Sequence, residues 1–226
     1  MSDELIVKAL NGDSESQFNL GRAYALGLDG VTPNPIDSIM WLEAAGDKIP
    51  QALHLLIGIS MGHFGTKHPA LLIRSFQKLA YVHKDVPAMV TMGAILCGSP
   101  ENRHINPEVS GIPELASRPY YNPEGGFRLI EEGVRLAENM AKNPLGFSHY
   151  DDAFVAYHFQ THKVYNRHER GEPYFPEGGF DNALAKKFEY AKKALAALRA
   201  RNGTASIPEE NIEPLITMYE DLVRKM

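Results

Sequence analysis

His158 and His162 stand four residues apart in Asp151-Asp152-Ala153-Phe154-Val155-Ala156-Tyr157-His158-Phe159-Gln160-Thr161-His162, so on a helix both imidazoles share a face and could ligate one metal ion. A His-Glu-x-x-His arrangement is absent. The nearest acids, Asp151 and Asp152, fall about two turns earlier, near a helix start, where carboxylates serve as caps and complement the helix dipole. Proximity of positions i and i+4 is a property of any helix, and the expectation is a structural pair with no bound metal. Cys97 could act as a nucleophile with His104 as its base, but no third group is evident to orient that base. A lone cysteine following Met92, Ile95 and Leu96 is expected to be a small packing residue. No catalytic residues are expected. The competing reading is a metal- or cysteine-dependent hydrolase centred on His158 and His162 or on Cys97.

A third candidate is a repeated heptapeptide, Tyr121-Asn122-Pro123-Glu124-Gly125-Gly126-Phe127 and Tyr174-Phe175-Pro176-Glu177-Gly178-Gly179-Phe180, identical at six of seven positions. Paired glycines before a helix resemble a phosphate cradle, because helix starts offer free amides. These copies lack the Gly-Lys-Ser/Thr ending and a preceding strand. The expected role is conformational, with the glycines turning the chain and Phe127 or Phe180 anchoring the next helix. The long segments 98 to 122 and 166 to 178 also carry Arg118, Tyr120, Tyr121, Arg167, Arg170, Tyr174 and Phe175. These residue types are enriched at interface hot spots, and packing beneath the loops is the alternative role.

The elements that position these residues read as helices throughout. Residues 16 to 25 align without gaps onto 52 to 61 and again onto 88 to 97, with small residues at 16, 52 and 88 and large apolar ones at 20, 56 and 92. A fixed period of this kind signals stacked helix pairs. Second helices lie between: Pro35 to Ala45, with Asn34 as N-cap and Pro35 at the first position, and Ala70 to Ala80, with Phe76 in the place of Trp41. Trp41 is expected in the core. Gly21 and Gly93, with Ala44, Ala45 and Ala80 opposite, are expected where helices approach closely. A longer helix follows each heptapeptide, the second with Phe180, Leu184, Phe188, Ala191, Leu195 and Leu198 in one stripe. A last helix carries Ile212, Leu215, Ile216, Tyr219, Leu222 and Val223 on one side and is expected to cap the stack. One all-α domain over residues 1–226 follows, with about ten helices: regular repeats in 1–97, longer divergent repeats in 98–202 and a C-terminal cap in 203–226.

Composition is that of a globular chain, with 44% hydrophobic and 23% charged residues in 226. No stretch reaches the roughly 20 apolar residues of a membrane helix, and the acidic start Asp3-Glu4 does not suit a signal peptide, so a cytoplasmic location is expected. A net charge of -5 with broken basic clusters argues against nucleic acid. Residues 1 to 47 hold eight acids against Lys8 and Arg22, whereas 48 to 104 hold six bases against Asp85 and Glu101. The amino-terminal end is therefore expected to offer an acidic face to a basic partner.

Gln17-Phe18-Asn19-Leu20-Gly21-Arg22-Ala23-Tyr24-Ala25-Leu26-Gly27, then Asp29-Gly30-Val31 and Ile39-Met40-Trp41-Leu42-Glu43-Ala44-Ala45-Gly46-Asp47, resembles the Sel-one-like repeat, a branch of the tetratricopeptide-type helical repeats. Residues 50 to 97 match less closely, with Leu56-Ile57 in place of the Leu-Gly pair. The resemblance implies an α-α superhelix of stacked antiparallel helix pairs whose first helices line a concave protein-binding face. On that frame Phe18, Arg22 and Ala25, then His54, Gly58 and Met61, then Val90, Ala94 and Cys97, turn to the concave side. It also implies an adaptor or scaffold without catalytic residues or cofactors, and bacterial examples include toxin-neutralising immunity proteins. The expected partner surface is Phe18, Arg22, His54 and Met61 together with Arg118, Tyr120, Tyr121, Tyr174 and Phe175. Its partner would be another protein or peptide, with monomer and homodimer both open.

Overall fold

Proline and capping residues set where most of the amino-terminal helices begin. In a computed structural model describing residues 2–62, 67–97, 122–163, 174–176 and 178–225, the first unit, Met1–Asp85, contains α1 (Asp3–Leu10), α2 (Ser14–Leu26), α3 (Pro35–Ala45), α4 (Pro50–Ser60) and α5 (Pro69–Tyr81). The carboxylate of Asp13 accepts from the Ser16 amide at 2.8 Å to open α2, and the side chain of Asn34 accepts from the Ile36 and Asp37 amides to open α3. Helices α3, α4 and α5 each start on proline, whose missing N–H costs nothing in the first turn. Gly27, at φ +69°, ends α2 in the left-handed region.

Each helix of this unit packs on its neighbour in sequence, and α2 also touches α4. The recurrent positions lie inside, with Ser16, Ala52, Leu20 and Leu56 all buried. Gly21 is required by the crossing of α2 and α3, since a Cβ there would lie 2.7 Å from Cγ of Leu42. The hydroxyl of Ser38 donates to the Gly21 carbonyl at 2.9 Å, so the helices touch at backbone distance. Two expectations fail on this helix. Trp41 is only half-buried and Ala44 is exposed, because α3 turns Ser38, Leu42 and Ala45 inward and leaves 41 and 44 on a flank.

The second unit, Val86–Met226, contains α6 (Val86–Leu96), α7 (Pro123–Glu138), α8 (Phe147–Lys163), α9 (Gly179–Arg199) and α10 (Glu209–Arg224). Its boundary falls before α6 and not near residue 97, because α6 packs mainly along α7. Among the described residues the chain has ten α-helices and no strand, so the protein is all-helical. No described helix is long and apolar enough to cross a membrane.

Glycines meet where α6 crosses α7: a Cβ on Gly93 would lie 2.6 Å from the Gly126 carbonyl oxygen, and one on Gly126 would lie 2.6 Å from that of Gly93. Helix α8 packs on α6 and α9, and α10 lies along α9. The α6–α7 crossing generates a prediction. Gly93→Ala places a methyl against rigid backbone and is expected to destabilise by about 1–3 kcal/mol, the usual range for overpacking. Urea denaturation followed by circular dichroism checks it, and an unchanged midpoint would contradict the crossing.

Candidate functional site

Of the residues that the sequence marks as a docking surface, those on α2 and α4 lie at the surface of the first unit. Phe18 is half-buried and Arg22 exposed, with the guanidinium carbon 5.7 Å from the Phe18 ring centre. On α4, His54 is exposed and its Nε2 lies 3.3 Å from a carboxylate oxygen of Asp85, while Met61 is half-buried. The hydrogen bond to Asp85 raises the His54 pKa above its ordinary value, against the opposing effect of partial burial. Gly58 is half-buried, and the other residues of the expected face do not reach solvent. Ala25 is buried, and Val90, Ala94 and Cys97 are completely so, because α7 covers that side of α6.

The aromatic loops divide in the same way. Arg118, Tyr120 and Tyr121, with His104, Arg167 and Arg170, lie outside the described residues. Tyr174 is half-buried, stacks on Phe127 with ring centres 6.2 Å apart, and donates its amide to Oε1 of Gln160 at 3.1 Å. Phe175 meets Phe180 edge-on at 5.5 Å. Both rings pack against the core of the second unit. The two heptapeptides adopt different conformations. In the first, Asn122 accepts from the Gly125 amide, so α7 begins at Pro123 and both glycines are helical, with Gly126 in the α6 crossing. In the second, Phe175 replaces the capping asparagine, α9 starts only at Gly179, and Gly178 and Gly179 take φ of +94° and +69°. The expected glycine turn therefore holds for one copy alone.

Cys97 is fully buried, its thiol faces the Pro123 carbonyl at 3.9 Å, and a Cβ on Gly126 would lie 2.8 Å from its sulfur. The thiol thus packs within the α6–α7 crossing. His158 and His162 do share a face, with nearly parallel rings 5.4 Å apart, and His158 also lies 5.6 Å from the Phe154 ring. Among the described residues no group of three or more His, Cys, Asp or Glu is arranged to hold a metal ion.

Sequence reasoning missed two polar arrangements in the second unit. The first is a cleft of about 490 Å³ between α7 and α9, lined by Arg128, Glu131, Arg135, Lys186, Glu189 and Lys193 among others. At its base Glu131 Oε1 accepts from the hydroxyls of Tyr157 at 2.7 Å and Tyr190 at 2.8 Å, while Oε2 lies 3.1 Å from Nζ of Lys186. Lys186 also meets Glu189 at 3.1 Å, and Lys193 lies 2.7 Å from Glu189 and 2.5 Å from Glu138. Burial alone would raise the Glu189 pKa, but hydrogen bonds from Lys193 and Lys186 prevail and lower it. For Lys186 and Lys193 burial acts downward, and their carboxylate partners prevail and raise them. Burial first, and then the charge of Glu131, pushes both phenols upward. Every one of these shifts leads away from neutrality, whereas a general acid or base works best near it. The arrangement acts as an ion-pair clamp between α7 and α9.

The second arrangement is a pair of adjacent buried carboxylates on α8, Asp151 at 1% exposure and Asp152 at 8%. The hydroxyl of Tyr219 on α10 donates to Oδ1 of Asp151, whose Oδ2 has no hydrogen-bond partner among the described residues. The hydroxyl of Thr91 on α6 donates to Asp152 at 3.2 Å. Burial raises both pKa values, Asp151 well above its ordinary value with Asp152 adding to the effect, and Asp152 to about 7. The sequence reading assigned these two acids to a helix start, yet α8 begins at Phe147, a full turn earlier. A signal was available in the apolar residues that flank the pair at helical spacing, Phe147, Phe154 and Val155.

Compared with known proteins, the chain matches no protein-family model and no curated protein sequence.

Asp151 makes stability depend on pH with a definite sign. Its folded pKa lies above the unfolded value near 3.8, so its contribution is complete below that pH and is lost as pH rises through the folded value. Asp151→Asn keeps an acceptor for Tyr219 and removes the ionisation. The variant is expected to be more stable than the parent at pH 8 and to lose less stability between pH 4 and 8. Denaturant midpoints measured across that range check this, and identical slopes for the two proteins would refute it.

Proposed function

We propose that the chain is a non-enzymatic polypeptide-binding module whose docking face is the α2 and α4 side of the first unit. The reading takes α2 to α5 as tandem helix pairs of the Sel-one-like, tetratricopeptide-like kind. One observation carries it: α2 touches α4 directly, so the first helices of successive pairs lie side by side. Phe18 and Arg22 on α2, with His54 on α4 and Met61 just after it, then belong to a common face in which Phe, Arg and Met are types enriched at interfaces. A face shared by two adjacent helices offers a surface along which a polypeptide segment can lie. The first unit thus contributes exposed chemistry of recognition, whereas Glu131, Lys186, Glu189 and Lys193 of the second unit are occupied in holding α7 and α9 together.

The double variant His54→Glu, Met61→Glu changes this face at accessible positions; because the new carboxylate at position 54 faces Asp85, circular dichroism is used to verify that the variant keeps the helical content of the parent. Crosslinking in cell extract followed by mass spectrometry should return polypeptides captured by the parent chain and lost from the variant. An identical set from both proteins would overturn the reading. So would one equivalent of zinc or iron in the purified protein that disappears with His158→Ala, since that result would favour the hydrolase.

A further inference from the structure

The acids of residues 1 to 47 are largely committed within the chain. Glu4 pairs with Lys8 at 2.8 Å, Glu43 with Arg74 at 2.9 Å and Asp47 with Lys78 at 2.6 Å. Asp13 caps α2, and the carboxylate of Asp37 accepts from the Asn34 amide group at 2.7 Å. Asp29 is engaged as well. Arg22 is the exception of opposite sign. In a segment with eight acids, its exposed guanidinium forms no ion pair among the described residues and instead lies over the Phe18 ring. Glu15, the acid on the same helix, stands seven residues away, about 10 Å along the axis at 1.5 Å per residue. On α4 the cationic form of His54 already has Asp85 opposite it.

A guanidinium held over an aromatic ring keeps its planar fork of donors available and gives up little freedom when a carboxylate arrives. Bidentate pairing of that fork with a carboxylate is the strong form of charge-assisted hydrogen bond. Leu26, 49% exposed, stands one turn beyond Arg22, so Phe18, Arg22 and Leu26 form a line at intervals of four with the cation between two apolar groups. From this arrangement we infer that the partner on the α2 and α4 face is an acidic segment, carrying an Asp or Glu beside an apolar side chain, with the carboxylate on Arg22 and the apolar group on Leu26. The inference rests on the polypeptide-binding reading and names its partner chemistry, and it reverses the basic partner that the charge distribution of the sequence suggests.

A random peptide library displayed on phage and selected on the full-length protein tests the inference without prior choice of sequence. Recovered peptides are expected to be enriched in Asp or Glu next to an apolar residue. Arg22→Gln should weaken a selected peptide about tenfold, the scale of one hydrogen bond to a charged group, and raised salt should weaken it further in the parent only. Lys192→Gln, an exposed charge elsewhere, should leave the affinity unchanged. Peptides without acidic enrichment, or with an affinity indifferent to Arg22→Gln but lost with His54→Glu, Met61→Glu, would overturn the acidic partner and leave the docking face in place. Failure to select any peptide above background would overturn both.

Discussion

The second unit is organised by the burial of α8 on nearly every side. From Tyr150 to Thr161 only His158 keeps partial exposure; Thr161 turns its hydroxyl back onto carbonyls of its own helix, and most of the other buried polar side chains of α8 find partners outside it. Unpaired, a buried polar group costs about 1–3 kcal/mol, which is several times smaller than a domain's total stability but large for one side chain. The helix meets this demand in four directions. Tyr157 donates to Glu131 on α7, Asp151 accepts from Tyr219 on α10, and Asp152 accepts from Thr91 on α6. Gln160 joins the Cys97 carbonyl to the Tyr174 amide. These contacts fix the axial position of α8 relative to its neighbours, a specificity that apolar packing alone leaves loose.

Close helix crossings supply the complementary constraint. Gly93 against Gly126, and Gly146 against Gly203, bring backbones together at distances that no side chain could survive. At the second of these, the Phe147 amide donates to the Asn202 carbonyl at 2.9 Å and the Asn202 side chain donates to the Leu145 carbonyl at 3.1 Å, so the start of α8 is tied to the turn after α9. Glycine pairs and polar clasps thus work together: the first permit approach and the second select one register. The first unit uses a related device at Gly21, which meets Leu42 in place of a second glycine, with the Ser38 hydroxyl bridging the gap.

The contrast between the units bears on function. In the second, charge is neutralised locally, as in the chain of Lys186, Glu189 and Lys193, and burial holds the tyrosine protons in place. In the first, the carboxylates serve caps and ion pairs while Arg22 stays over Phe18 in solvent. An exposed cation without an ion pair among the described residues is the feature on which the proposed acidic partner rests.

By itself the sequence determined the helical architecture, the position of the repeated helix starts and the inward register of residues 16, 20, 52 and 56, because period, proline and capping residues act within a few turns of chain. It also determined that Gly21 and Gly93 mark close crossings. Tertiary structure alone decided that Val90, Ala94 and Cys97 lie under α7, that Trp41 faces a flank, and that two nearly identical heptapeptides take different backbones. It decided too that Asp151 and Asp152 are core residues and that most of the amino-terminal acids are occupied. Each of these depends on which helix covers which face, and that is set by contacts between residues tens of positions apart, to which local pattern and composition are blind.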